Sequence, residues 1–236
     1  MKETAWIDRK KGNGAQHETF SHSAESIPFP PTEPPPEGSL FPMPQLTKNA
    51  VSEAFFRIAA VRSPEKITVR DIVEECGVTR NTFYYYFRDV YDVIEDAFLS
   101  IASGIEEQSD PFEHLADTLG GFADFLYDHR SAMRNICAAI GRDAVKADLS
   151  RAVDHVLLTA LKSQAKRYPS VQEQDLRLIA AAYREAMLGL LLDWLQGNDK
   201  EHPRKLLFRL TSLFDGVIPL LIQNAVHGPK SRKEES

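Results

Sequence analysis

The stretch CGVTRNTFYYYF, residues 76–87, sets three tyrosines and two phenylalanines directly behind an arginine and an asparagine. Aromatics at that density usually build core, but Arg80 and Asn81 are residue types that read nucleic-acid bases. A guanidinium donates two parallel hydrogen bonds to guanine, and an asparagine amide pairs bidentately with adenine. Phe83 and Phe87 are four residues apart and share one helical face; Arg80 with Tyr84, and Asn81 with Tyr85, share a second. The phenylalanines therefore belong inside, and the polar-aromatic face is available to another molecule. Thr82 and the tyrosine hydroxyls can reach phosphates, and the tyrosine rings can pack on thymine methyls. Thr79 is a capping residue type, so Arg80 and Asn81 fall at the start of the helix. In a helix-turn-helix arrangement that end of the second helix meets base edges in the major groove.

The surrounding pattern supplies such an arrangement. Thr68 with Asp71 three residues later is a capping signal for a short helix through about Glu75, and Gly77 breaks it before Thr79 opens the next. Upstream, Leu46, Ala50, Ala54, Phe55, Ile58 and Ala59 recur at helical spacing over 46–61. Downstream the spacing predicts a helix over 90–107. Asp110, Pro111 and Glu113 read as the start of one ending near His129. Ser131 opens a helix closed by Gly141, and Asp143 opens another that stops before Pro169. Ser170 with Glu173 reads as a capping box for a helix that ends before Gly197, and Pro203 starts the last, to about residue 224. There is no alternating strand pattern. The fold class is all-α, with about nine helices.

The segment KITVRDIVEECGVTRNTFYYYFRDVYDVIEDAF, residues 66–98, resembles the DNA-binding domain of TetR/AcrR-family bacterial transcription regulators. The resemblance implies a homodimer that recognises double-stranded operator DNA. It implies DNA contacts from Arg70 in the second helix and from Arg80, Asn81, Thr82, Tyr84 and Tyr86 in the recognition helix. Family members often place a phosphate-gripping lysine at the start of the fourth helix; here that position is Val90, with Arg88 nearby. The C-terminal half, with RSPEKI (62–67) and AMLGLLLDWLQGN (186–198), is similar to the DhaS-like, Firmicutes-type subgroup of that family.

Composition narrows the alternatives. The chain has 236 residues, 43% of them hydrophobic, and a net charge of −6. A globally basic nucleic-acid coat is excluded. Between residues 46 and 92, seven basic residues meet seven acidic ones, so DNA affinity must come from sorting charge onto different faces. Cys76 and Cys137 match no metal or redox spacing and point to a reducing, cytoplasmic compartment. No apolar run approaches a membrane span, and the N-terminus is too polar for a signal peptide. No nucleophile elbow, phosphate loop, dinucleotide glycine motif or metal-spaced histidines and cysteines are present, so no enzyme, cofactor or metal site is expected. Eight of the fourteen prolines lie in residues 1–45, which read as a disordered arm, with Met43 as a candidate start.

The resulting organisation is an arm over 1–45, a DNA-binding domain over 46–92, a dimerisation and effector-binding domain over 93–226 and a polar tail over 227–236. Tyr183, Met187 and Trp194 are candidates to line a small-molecule pocket, or else to pack inside the bundle or across a dimer seam. Leu191, Leu195, Leu210, Phe214 and Val217 are candidates for a dimer seam, because their two helices carry more than one apolar stripe. The expected function is a repressor relieved by a small molecule. An effector-independent activator and a protein–protein adaptor that keeps the helix-turn-helix shape are the other readings.

Overall fold

The structure is a computed structural model and describes residues 44–214 and 216–227. The expected proline-rich arm and polar tail fall almost entirely outside these residues. Ten α-helices are present, and no strand occurs among the described residues. They are α1 (Pro44–Ala59), α2 (Val69–Cys76), α3 (Arg80–Tyr86), α4 (Asp92–Ser103), α5 (Leu115–Asp128), α6 (Arg130–Ile140), α7 (Arg142–Ala165), α8 (Glu173–Gln196), α9 (Pro203–Leu213) and α10 (Val217–His227), with a 3-10 turn at Pro64–Lys66. No single helix among them is long and apolar enough to cross a membrane.

The helices α1 to α3 form a small head and α5 to α10 a larger body, with α4 packed against both α1 and α7. Helix α7 runs through the body, lined with Val145, Leu149, Val153, Val156 and Leu157, all buried. It lies against α4 on one side and α8 on the other.

The junction of head and body is aromatic. Phe56 of α1 meets Phe125 of α5 edge-on at 5.0 Å, and Phe98 of α4 meets Phe125 at 5.6 Å. The His129 ring packs at a tilt against both Phe56 and Phe125. Asn135 of α6 donates from Nδ2 to the carbonyls of Ala59 and Ala60, at 2.8 and 3.3 Å. These are end carbonyls of α1, which have no partner within the helix. Helix α6 is thus tied to the end of α1 by a hydrogen-bonded cap, and ring packing ties α5 to α1 and α4 to α5.

Burial holds His129 below its ordinary value near 6.5, against the opposing pull of Glu53 and Asp128. The unfolded chain then binds a proton more readily than the folded one, so stability is level above that pH and falls as pH drops below it. His129→Phe keeps the ring packing and removes the proton site. Urea midpoints between about pH 7.5 and 5.5 are expected to fall less steeply in the variant; an identical decline would place its origin elsewhere.

Three helix starts differ from the sequence expectation. Helix α5 begins at Leu115, not at Pro111. The Asp110 carboxylate accepts from the N–H groups of Phe112 and Glu113, which closes a turn instead of opening the helix. Ser170 does not cap α8: its N-cap is Gln172, without a side-chain cap bond, and Glu173 instead pairs with Arg177 and Lys162. The last helix is two helices. Gly216 adopts φ 70°, in the left-handed region, and separates α9 from α10. This break accounts for ten helices where the periodicity suggested nine.

Candidate nucleic-acid interface

The reading head is organised by local capping. The Thr68 side chain accepts from the Asp71 N–H while the Asp71 carboxylate accepts from the Thr68 N–H, a complete capping box at the start of α2. Two hydrogen bonds from Thr68 and one from Arg62 hold the Asp71 carboxyl well below the usual carboxylate range. Gly77 ends α2 at φ 72°, and its N–H donates to the Val73 carbonyl. An added Cβ at Gly77 would meet no neighbour. The obstacle to another residue there is the left-handed backbone alone. Gly77→Val is therefore expected to destabilise the protein by about 1–2 kcal/mol, read as a lowered melting temperature; an unchanged one would contradict this turn geometry.

Thr79 then caps α3, its Oγ1 accepting from the Thr82 N–H at 3.1 Å and lying 2.8 Å from the Thr82 hydroxyl. Phe83 and Phe87 are sunk in the core, at 0% and 2% exposure. Thr79, Arg80, Asn81, Tyr84 and Tyr85 are exposed, while Thr82 and Tyr86 are half-buried. The Tyr86 ring packs edge-on against Tyr85 at 4.8 Å and also against Phe87. Tyr84 lines a cleft of about 600 Å³ formed with Pro64, Ile67, Tyr91 and, from the body, Asp148. The division of the aromatics into buried phenylalanines and outward tyrosines thus holds, except that Tyr86 shares in both.

Charge in the head is largely paired. Arg70 bonds Glu74 at 2.6 Å, and the Arg88 guanidinium takes both carboxylate oxygens of Asp92, at 2.7 and 2.8 Å. Arg57 pairs with Glu75, Arg62 with Asp71 and Lys48 with Asp96. Of the seven basic residues over 46–92, only Lys66 and Arg80 have no acidic partner among the described residues. Arg80 is the one of these that stands on α3. Val90, at the position where a phosphate-gripping lysine is common, is buried in the core. Arg70 and Arg88 are exposed and can reach a phosphate only by sharing or leaving their carboxylates. The Arg70–Glu74 pair is exposed on both sides and worth about 1 kcal/mol or less, so a phosphate can compete for it.

In the body, Tyr183 and Met187 line a cavity of about 140 Å³ between α5, α7, α8 and α9. Trp194 does not join them. It is buried, donates from Nε1 to the Glu201 carbonyl at 2.7 Å and lies under the Arg130 guanidinium at 4.1 Å. Arg130 and Arg134 bond the carbonyls of Trp194, Leu195 and Gly197, satisfying the C-terminal end of α8. Trp194 anchors that end of the helix instead of facing a ligand.

Leu191 and Leu195 also differ from expectation: both are fully buried within the single chain and cannot form a seam. Leu210 and Val217 are half-buried, and Phe214 is partly exposed, its ring edge-on to Tyr183 at 5.6 Å. The outward apolar residues are instead Leu178, Phe208, Leu213 and Leu220, at 70%, 71%, 79% and 53% exposure. Burial pushes the Cys137 thiol up to about 11, which leaves it a protonated core residue.

Residues 53–97 match the family described as "Bacterial regulatory proteins, tetR family", and residues 113–216 match the description "Transcriptional regulator C-terminal region" within the same family. An uncharacterized HTH-type transcriptional regulator, YxbF of Bacillus subtilis (strain 168), is 26% identical over 134 residues. That alignment covers 51% of this chain and 35% of YxbF, so the match spans about a third of the relative's length. Among solved structures, the dihydroxyacetone kinase operon activator DhaS superposes with a TM-score of 0.56 at 18% identity, over 75% of this chain and 98% of that one. A putative fatty acid metabolism regulator of Clostridium perfringens gives a TM-score of 0.42 at 20% identity, over 76% and 98%. With a capped helix-turn-helix head, an all-helical body and both halves matched to one family, the chain belongs to the TetR family of bacterial transcriptional regulators.

Proposed function

We propose that the protein acts as a homodimer that recognises a specific operator through two copies of α3 and blocks transcription there until a small molecule releases it. The observation that carries the DNA-reading half is the exposed start of α3, where Arg80 and Asn81 have no acidic partner among the described residues while Phe83 and Phe87 fix the helix to the core. Repression is the simpler sign physically, because a bound dimer obstructs whatever overlaps its site, whereas activation needs a further productive contact.

Release follows from geometry. B-DNA presents equivalent half-sites about 34 Å apart per helical turn, or at multiples of that. A dimer whose two α3 helices are held at another spacing cannot engage both. The aromatic junction and the Asn135 cap on α1 supply a route by which a rearranged body tilts the head. A ligand shifts that balance by as much as its affinities for the two arrangements differ.

Footprinting of genomic DNA with the purified full-length protein tests the DNA-reading half, and a reporter carrying the recovered site tests the sign. Protection of one palindromic sequence, with reporter output rising when the gene is deleted, is the expected result. No protected sequence would remove the operator reading, and a fall in output would reverse the sign.

A further inference from the structure

The cavity in the body has a chemical signature. Its walls are mostly hydrocarbon: Leu119 of α5, Leu157 of α7, Met187 of α8 and Leu207 of α9. Tyr183 lines the same cavity, and its hydroxyl oxygen is buried with no hydrogen-bond partner among the described residues. A buried hydroxyl left without a partner is costly, and an incoming polar atom that pairs with it recovers that cost.

The rim sets a second condition. Arg204 lies across Gly120 of α5, where an added Cβ would come within 2.9 Å of its Nε. Its guanidinium bonds both Asp117 and Asp124. Asp117 and Arg204 are the charged residues that line the cavity, and they are paired with each other, so the guanidinium is already committed to carboxylates. An ionised group inside would lose its hydration with no unpaired opposite charge to meet it.

Size sets the third. The volume is about 140 Å³, and an apolar cavity of about 150 Å³ in an unrelated protein holds one benzene. Roughly six to nine non-hydrogen atoms fit such a space.

Resting on the reading of the body as an effector domain, we propose that this cavity binds a small, neutral, mostly hydrocarbon molecule carrying a single hydroxyl or carbonyl, which pairs with the Tyr183 hydroxyl. The ring of Tyr183 contacts Phe214 beside the Gly216 break, so the bound molecule bears on the joint between α9 and α10.

The test uses the full-length protein and four probes: phenol, cyclohexanol, benzene and benzoate. Calorimetry and thermal shift are expected to show phenol and cyclohexanol binding the wild type at least tenfold more tightly than benzene, with no binding of benzoate. Tyr183→Phe should abolish the preference for phenol over benzene while leaving the free protein at least as stable, because it removes an unpaired polar atom. Leu157→Phe, which fills the space from the opposite wall, should weaken all neutral probes. The proposal is overturned if none of the neutral probes binds, if benzoate binds as well as phenol, or if phenol and benzene bind alike in the wild type. Operator affinity in the presence of bound phenol is scored separately. Binding that leaves operator affinity unchanged supports the ligand chemistry and counts against the effector role alone.

Discussion

Arg80→Ala is expected to lower affinity for the operator by about fivefold to a hundredfold or more, the roughly 1–3 kcal/mol that one bidentate base contact contributes. The size of the effect follows from how little free positive charge the head has. Five of its seven basic side chains are held by carboxylates, and Arg80 is the one on α3 that is not. It is the first residue of α3, directly after the Thr79 cap, the end of the second helix that meets base edges in helix-turn-helix proteins. Binding to unrelated DNA should fall only by one phosphate's worth, with the salt slope reduced by about 0.9 at most. Glu74→Gln is the companion change. It frees Arg70 from its pair and should raise affinity for any DNA, by up to about fivefold, since an exposed pair is worth about 1 kcal/mol or less. Gel shifts on operator and scrambled duplexes separate the two variants. Equal losses on both duplexes for Arg80→Ala would make Arg80 a phosphate contact, and no loss on either would remove it from the interface.

Those expectations rest on the part of the molecule that its sequence describes best. The Thr68–Asp71 box, the Thr79 cap, the glycine at Gly77 and the buried pair Phe83 and Phe87 are each decided within a few residues, by backbone groups that need partners and by side chains one turn apart. The ion pairs Arg70–Glu74 and Arg88–Asp92 also have one-turn spacing, but a tally of seven charges against seven does not reveal that the balance is made by contact, nor that Arg80 is left out of it. Longer-range features were less legible. Asp110 and Ser170 carry the residue types of helix caps, yet one closes a turn and the other does not cap; either use satisfies local hydrogen bonds, and tertiary packing chooses. The break at Gly216 lies within a periodic apolar run, where periodicity alone continues the helix.

The candidate pocket and seam show the same limit from another side. Tyr183, Met187 and Trp194 share a helical pattern on α8, but only the first two face the cavity. Trp194 is drawn into the capping of its own helix by Arg130, a residue more than sixty positions earlier. Leu191 and Leu195 are indistinguishable in sequence from leucines of a seam, because an apolar stripe records that a surface is buried and not by what. In the structure α7 covers that stripe from within the chain.

With Leu191 and Leu195 inside the chain, we propose the outward apolar residues as the seam, and Leu220→Glu is expected to split the dimer. Leu178 on α8, Phe208 and Leu213 on α9 and Leu220 on α10 leave large apolar side chains outside a chain that already has a full core. Single exposed leucines need no explanation. Here, however, α8 packs directly against both α9 and α10, and the outward face of α8 between Leu178 and Ala186 carries exposed Ala182 as well. A surface of that kind favours a partner that covers it, and in a two-fold dimer each substitution is met twice. A carboxylate at position 220 costs the monomer little, since the side chain there is 53% exposed. In the dimer it would be buried without a counter-charge. Dimer affinity should fall by about a hundredfold or more, with circular dichroism unchanged. Operator affinity should fall with it, because one charge-balanced head engages only one half-site. Light scattering at micromolar concentration reads the first effect and a gel shift the second. A variant that stays dimeric would move the seam toward Phe208 and Leu213 on α9, where Phe208→Glu is the next change to make. A wild-type monomer that binds a palindromic operator at full affinity would end the dimer reading and the spacing mechanism together.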